Sequence, residues 1–221
     1  MTFDVPFMID QIPRFIDGAL MTLAVGLIVM ITSTVIGFIN ATILFFRWKG
    51  IRIFIRWYVE FSRNTPLLVQ IFFLFFALPS LGIKMSPFTT AIVGMTFLGG
   101  GYTTEIFRSG IEAVPRGQIE AGLALGMSKW QTYCFVVIPQ ALKIAMAAFI
   151  GNVIFLLKET SIVSAIGVQE LLYTATDIIA TYYKTFEMFA LLALSYLFLI
   201  LPLSALLSMV ERRVNREQFA D

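Results

Sequence analysis

A multi-pass, all-α membrane protein is the fold class that the sequence predicts, and three observations predict it. Hydrophobic residues make up 58% of the 221 residues and charged residues only 14%, against roughly 45–50% and 25% in an average soluble domain. The uncharged residues come in runs: Gly18 to Phe46, Asn64 to Ile83, Met85 to Thr104 and Met188 to Val210 carry no Asp, Glu, Lys or Arg. Each run reaches the length of about 20 residues that a helix needs to cross a bilayer. The basic residues gather in alternate segments between the runs, as loops on one side of a membrane do.

The elements follow in order. The first span is placed at about 18–46. It is not expected to be a cleaved signal peptide: Asp4, Asp10 and Asp17 outweigh Arg14 ahead of it, and the run exceeds a signal core of roughly 7–15 residues. The second and third spans are placed at about 53–78 and 86–107. The fourth, about 136–157, is interrupted only by Lys143, whose long stem can carry its charge to the interface. The fifth is about 188–210. Backbone polar groups in lipid must pair within the chain, so five helices in a single domain over 1–221 are expected. Arg47, Lys49, Arg52 and Arg56, then Arg108, Arg116 and Lys129, then Arg212, Arg213 and Arg216 fall on one side. Arg14, Lys84, Lys158 and Lys184 fall on the other. That asymmetry predicts an external N-terminus and a cytoplasmic C-terminus.

Composition also excludes chemistry. The chain has no His and one Cys, Cys134, which removes His-based triads, most zinc sites and an intrachain disulfide. No catalytic and no metal-ligating residue is expected. A net charge of +2 gives no footprint for nucleic acid. No G-x-x-x-x-G-K-[ST] phosphate loop is present, so nucleotide hydrolysis has no seat in this chain.

The connection at 108–135 is more built than a loop needs to be. Pro115 suits the first turn of a helix that runs from Arg116 to a C-terminal cap at Gly126. Ser128-Lys-Trp-Gln131 is a capping box that starts a second short helix. Ala121, Gly122 and Ala124 keep the pair thin enough for another surface to approach closely.

Here the sequence resembles a family. Glu120-Ala121-Gly122, three residues, Gly126, nine residues, then Val136-x-Ile138-Pro139 is similar to the "EAA" loop of permease subunits of binding-protein-dependent ABC importers. Gly122, Val136 and Ile138 depart from that pattern by small-for-small or apolar-for-apolar exchange. Further stretches resemble its polar amino-acid branch: Gly18-Ala-Leu-Met-Thr-Leu23, Arg63-Asn-Thr-Pro-Leu-Leu-Val-Gln70, Glu105-Ile-Phe-Arg-Ser-Gly110 and Lys158-Glu-Thr-Ser-Ile-Val-Ser164. The resemblance covers nearly the whole chain. It implies a type I importer fold in the bacterial plasma (inner) membrane, and a cytoplasmic ABC ATPase dimer that binds ATP and Mg in place of any cofactor here. It also implies a second permease subunit, identical or paralogous, and an extracytoplasmic substrate-binding protein. The loop becomes the ATPase-coupling element, with Arg116, Gly117, Glu120, Ala121, Gly122, Leu125 and Gly126 as its contact residues. Membrane lipids are the remaining partner.

Polar groups at membrane depth are the candidates for a substrate path. An arginine at a helix centre costs roughly 2.5–3.5 kcal/mol on insertion scales. Arg63 therefore either pairs with Glu60, one turn back, or lines a polar path with Asn64, Thr65 and Gln70. Pro66 supports a helix break there, and transporters hold polar substrates at such breaks. Thr104, beside Gly99-Gly100-Gly101, sits where close helix approach or substrate passage is possible. At the end of the fourth span, Thr160 or Ser161 is expected to N-cap a short helix ending at Gly167. Its N-terminus favours a carboxylate and Glu159 an ammonium group, the two ends of a zwitterionic amino acid. Glu105 and Arg108 read as a structural pair. The expected function is translocation of a polar amino acid into the cytoplasm by alternating access. The alternative is a secondary carrier or channel working without an ATPase; no internal repeat supports it.

Overall fold

The computed structural model describes residues 3–216. Residues 1, 2 and 217–221, which the single-domain reading included, lie outside the described residues. The described elements are helical. In chain order they are α1 (Val5–Phe45), α2 (Ile51–Asn64), α3 (Leu67–Phe72), α4 (Pro87–Glu112), α5 (Arg116–Ala124), α6 (Lys129–Thr132), α7 (Ile138–Glu159), α8 (Leu171–Tyr182) and α9 (Thr185–Arg216). Wider π-type turns at Phe73–Ala77 and Tyr133–Val137 and 3₁₀ turns at Leu78–Leu81 and Thr160–Ile166 continue α3, α6 and α7.

Three stretches among the described residues are long and apolar enough to cross a membrane: Val5–Phe45, Lys129–Ile166 and Thr185–Arg213. A fourth is obtained if the bent pair Ile51–Asn64 and Leu67–Leu81 is one span. The break falls at Thr65 and Pro66, where Pro has no N–H to continue the helical ladder. The 26-residue helix α4 is long enough to cross at 1.5 Å per residue. Its glycines and threonines dilute its hydropathy. Helix α1 begins at Val5, well before the apolar run that opens at Gly18. Its first turns carry Asp10, Arg14 and Asp17, and the Arg14 guanidinium meets Asp177 on α8 at 2.5 Å. Charge interrupts the apolar run without ending the helix.

The residues group into two compact units. One comprises Met1–Ile31, Thr65–Thr96 and Ile154–Leu206; the other comprises Thr32–Asn64, Phe97–Val153 and Leu207–Asp221. In the first unit, Met8 and Phe15 of α1 pack with Leu171, Ala175 and Ile178 of α8 and Met188 and Leu192 of α9. Gly18 makes that approach possible: a Cβ there would lie 2.7 Å from Thr174 Oγ1. Lys184 Nζ donates to Asp4 Oδ2 at 2.9 Å and ties the start of α1 to the start of α9.

In the second unit, α2 seats on α4 through glycine. A Cβ on Gly101 would lie 2.0 Å from Ser62 Oγ, and one on Gly100 would lie 2.4 Å from the Tyr58 hydroxyl. The Gly-Gly-Gly run is thus an internal helix seat. Interhelical hydrogen bonds add to it, as small polar residues do between membrane helices. Asn40 Nδ2 donates to Thr104 Oγ1 at 3.2 Å, and Asn152 Nδ2 donates to Thr103 Oγ1 at 3.3 Å.

Candidate functional site

The connection after α4 forms two short helices with well-satisfied ends. Pro115 stands just outside α5, at its N-cap with extended ψ of 133°, one position earlier than the first-turn placement. After Leu125 the chain turns through Gly126 at φ +83°. The Gly126 N–H donates to the Leu123 carbonyl at 3.0 Å, and the Met127 N–H to the Gly122 carbonyl at 3.2 Å. This is the double closure of a helix C-terminus that favours glycine at the left-handed position. Ser128 then caps α6: its Oγ accepts from Gln131 N at 3.2 Å, and Gln131 Oε1 accepts from Ser128 N at 2.8 Å.

The two faces of α5 differ. Gly122 is buried, and a Cβ there would press on Thr132 at 3.0 Å. Arg116, Gly117, Glu120, Ala121 and Gly126 are exposed, and Leu125 is 83% exposed. On the inner side, an aromatic cluster ties the short helices to the end of α1. Trp130 stacks on Phe46 with centroids 5.5 Å apart, and Tyr133 lies 4.7 Å from Phe45. The Tyr133 hydroxyl also shares a 2.6 Å hydrogen bond with Thr42. Val114 and Ile119 join the same apolar cluster as Phe107, Val137 and Ala141. One side of the connection is therefore anchored in its unit, and the other presents an unpaired apolar side chain beside charge.

The polar candidates divide between the units. In the second, Arg63 makes no ion pair with Glu60. Asn64 Nδ2 donates to the Glu60 carboxylate at 3.0 Å, while the Arg63 guanidinium lies 5.2 Å from the Tyr102 ring centroid. The ring face attracts the cation. Of the two alternatives for Arg63, the pair with Glu60 does not form, and a cation–π contact stands in its place. Thr104 is buried, and its hydroxyl donates to the Gly100 carbonyl at 2.6 Å. Arg108 is gripped by Glu105, to which its Nε donates at 2.9 Å, and by Glu112 at 2.5 Å.

In the first unit, Gln70 is buried and its Nε2 donates to Thr65 Oγ1 at 2.7 Å and to the Thr65 carbonyl at 3.1 Å. This bridge fastens the start of α3 across the Pro66 break. Glu159 is half-buried and Thr160 buried. The capping expected of Thr160 or Ser161 does not occur. Their hydroxyls donate backwards, to the Leu157 carbonyl at 2.8 Å and the Lys158 carbonyl at 3.0 Å. The chain runs from α7 into the 3₁₀ turn without a break, so there is no new helix start to cap. The turn does end at Gly167, with φ +87°.

One polar residue escaped the sequence reading. Glu170 is fully buried and caps α8: its carboxylate accepts from Tyr173 N at 2.7 Å and Leu172 N at 2.9 Å. The Tyr196 hydroxyl donates to the same group at 3.2 Å. Burial pushes the Glu170 carboxyl up to about 7, against the pull of those three donors. Glutamate is not among the preferred N-caps, and the partner that encloses it lies 26 residues away.

The family model for "binding-protein-dependent transport system inner membrane component" matches residues 33–216. The chain belongs to that family. Among relatives, it is 35% identical over 218 residues to the glutamine transport system permease protein GlnP of Escherichia coli, covering 97% of this chain and 99% of that one. It is 40% identical over 159 residues to the probable glutamine ABC transporter permease protein GlnP of Bacillus subtilis, covering 72% and 73%. A crystal structure of an amino acid ABC transporter with histidines superposes with TM-score 0.90 at 35% identity, over 96% of this chain and 100% of that one. An inward-facing form of the MetNI methionine ABC transporter, at 20% identity and TM-score 0.79, shares the fold. This permease thus has the fold of those ABC transporter membrane components.

Proposed function

We propose that the chain is the translocating subunit of an ATP-driven importer for a polar amino acid. It spans the bacterial plasma membrane five times, with the N-terminus outside and the C-terminus in the cytoplasm. The observation that carries this reading is the outward face of α5. Arg116, Gly117, Glu120, Ala121, Leu125 and Gly126 are all exposed, while Ile119 and Gly122 face inward, and α6 and Tyr133 behind them are anchored to the end of α1 by Phe46. A short helix held on one side, with an uncovered leucine and flanking charges on the other, suits docking into a cleft of a partner. Its aromatic anchor carries any displacement to the end of a long apolar helix. A cytoplasmic ATPase pair is the partner, and it holds the ATP and Mg.

A second permease subunit completes the pathway around a central axis, and an extracytoplasmic binding protein delivers the substrate. Arg63, Asn64, Thr65, Gln70, Thr104, Glu159, Thr160 and Ser161 supply the polar groups of the path. Glutamine is the first substrate to try, because the relatives that the chain matches over most of its length are named for it.

The test is a reconstituted complex with Leu125→Asp or Gly126→Trp. Labelled amino-acid uptake and the stimulation of ATP hydrolysis are expected to fall at least tenfold together, a loss of about 1.4 kcal/mol of coupling. The isolated permease keeps its melting temperature in Leu125→Asp, because Leu125 is exposed, whereas Gly126→Trp lowers it, because a side chain is strained at φ +83°. Survival of uptake and stimulation in both variants would sink the docking role of α5.

A further inference from the structure

In the second unit, the ends of α1 and α4 and the starts of α2 and α5 enclose a cavity of about 770 Å³. That volume lies in the range of roughly 300–1,000 Å³ for small-ligand sites. Its charged lining is unbalanced. Arg47, Arg52, Arg56, Arg108 and Arg116 face it, against Glu60, Glu105 and Glu112. Glu105 and Glu112 are committed to Arg108, and Glu60 accepts from Asn64. Among the described residues, no ion pair joins Arg47, Arg52, Arg56 or Arg116 to a carboxylate. Four guanidinium groups that no ion pair engages therefore line the cavity against one such carboxylate, Glu60, a clear excess of positive charge. Planar guanidinium forks match the oxygens of a phosphate group. The rest of the wall is apolar, from Ala41, Leu44, Phe45 and Val59.

Helix α2 says which phosphate. Arg52, Arg56 and Arg63 fall on one helical stripe, at spacings of four and seven residues. On the opposite stripe, Phe54 is 76% exposed, Trp57 73% and Phe61 58%. A helix with basic residues along one face and Trp and Phe along the other lies at the boundary between headgroups and acyl chains. A soluble anion needs no such aromatic face. We infer that this cavity holds the phosphate headgroup of an anionic membrane phospholipid, with the guanidinium groups on the phosphate and the apolar wall against the glycerol end of the lipid. Basic pockets between membrane helices on the cytoplasmic side are suited to such headgroups. The inference rests on the proposed orientation, which puts 47–56 on the cytoplasmic leaflet. An occupied headgroup site next to α5 would brace the same helix ends that the coupling connection leans on.

The test uses the full chain in phosphatidylcholine nanodiscs doped with about one quarter phosphatidylglycerol, a share that leaves most surrounding lipid uncharged. Native mass spectrometry counts the lipid that stays on the released protein. The wild-type chain is expected to retain phosphatidylglycerol well above its share of the disc. Arg52→Gln with Arg56→Gln is expected to weaken that retention about 25-fold, while Lys49→Gln with Lys129→Gln, which removes equal charge outside the cavity, changes it less than about twofold. Equal losses in the two pairs, or wild-type retention no greater than the disc share, would overturn the inference. So would release of the lipid by millimolar inorganic phosphate, which would make the cavity a site for a soluble anion. The wild-type measurement stands even if the double variant does not fold. Retention is read without ATPases, so its failure leaves the docking role of α5 standing. Loss of ATPase stimulation in the Leu125 and Gly126 variants leaves retention unchanged.

Discussion

The permease has two long connections between its apolar helices, and they are built on opposite plans. The connection at 113–137 holds α5 and α6, caps its second helix with the exposed Ser128 and Gln131 pair, and leaves Leu125 uncovered. The connection at 160–184 holds α8, caps it with the buried Glu170, and seals it against α1 and α9 through Leu171, Ala175 and Ile178. Its rim is tied by Arg14 to Asp177 and Lys184 to Asp4. Both need a helix start satisfied, and the difference lies in who satisfies it and where. A cap made locally and in water leaves the helix free to serve a partner. A cap made by a buried carboxyl, shared with a residue from another helix, makes the connection part of the core.

The comparison breaks if the two caps prove equally dispensable. Glu170→Ala at pH 5 has the largest expected effect. It strips the acceptor from two buried backbone N–H groups and the Tyr196 hydroxyl, and should cost about 4 kcal/mol at roughly 1–3 per orphaned donor. A clear fall in the melting temperature of the detergent-solubilised chain checks it. A loss no larger than that of an exposed cap would mean that α8 does not depend on its buried carboxyl.

The next effect is a pH dependence with a definite sign. The folded Glu170 carboxyl titrates near 7, above the usual range of about 4.3 for a free side chain. Below the ordinary value it is protonated in both states and costs nothing. As pH rises through the window up to about 7, the unfolded chain ionises first and is favoured. Stability is therefore expected to fall across that window by about 3 kcal/mol and then level off. The slope should flatten in Glu170→Gln; an unchanged slope would assign it to another group. The smallest effect is Ser128→Ala, about 1 kcal/mol, read as a small melting shift with ATPase stimulation retained.

What was legible in the sequence tracks the same contrast. Ser128-x-x-Gln131, Pro115 and Gly126 announce α5 and α6 because their partners lie within five residues. Pro66 announces the break between α2 and α3 because its missing N–H acts on its own helix. The Glu170 cap was invisible, since its enclosure depends on Thr22, which accepts from Leu171 N, and on Tyr196. The Glu60–Arg63 spacing allowed a pair that Asn64 and Tyr102 pre-empt. The apolar run from Gly18 does not disclose the early start of α1, because Asp177 lies far along the chain from Arg14. Continuity between α7 and the following 3₁₀ turn could not be read from Thr160 and Ser161, whose hydroxyls serve carbonyls behind them as readily as amides ahead.

The seat of α2 on Gly100 and Gly101 bears on how the chain is made. A helix with Arg52, Arg56, Glu60 and Arg63 along one face is a poor passenger for the lipid interior by itself, because each central charge is costly there. Its place in the finished protein depends on α4, where Tyr58 donates to the Phe97 carbonyl at 2.8 Å and Ser62 meets a glycine with no side chain to push it away. During synthesis α2 emerges first and its seat afterwards. The glycines thus set an order of biogenesis: the amphipathic helix can take its seat only once α4 has been made.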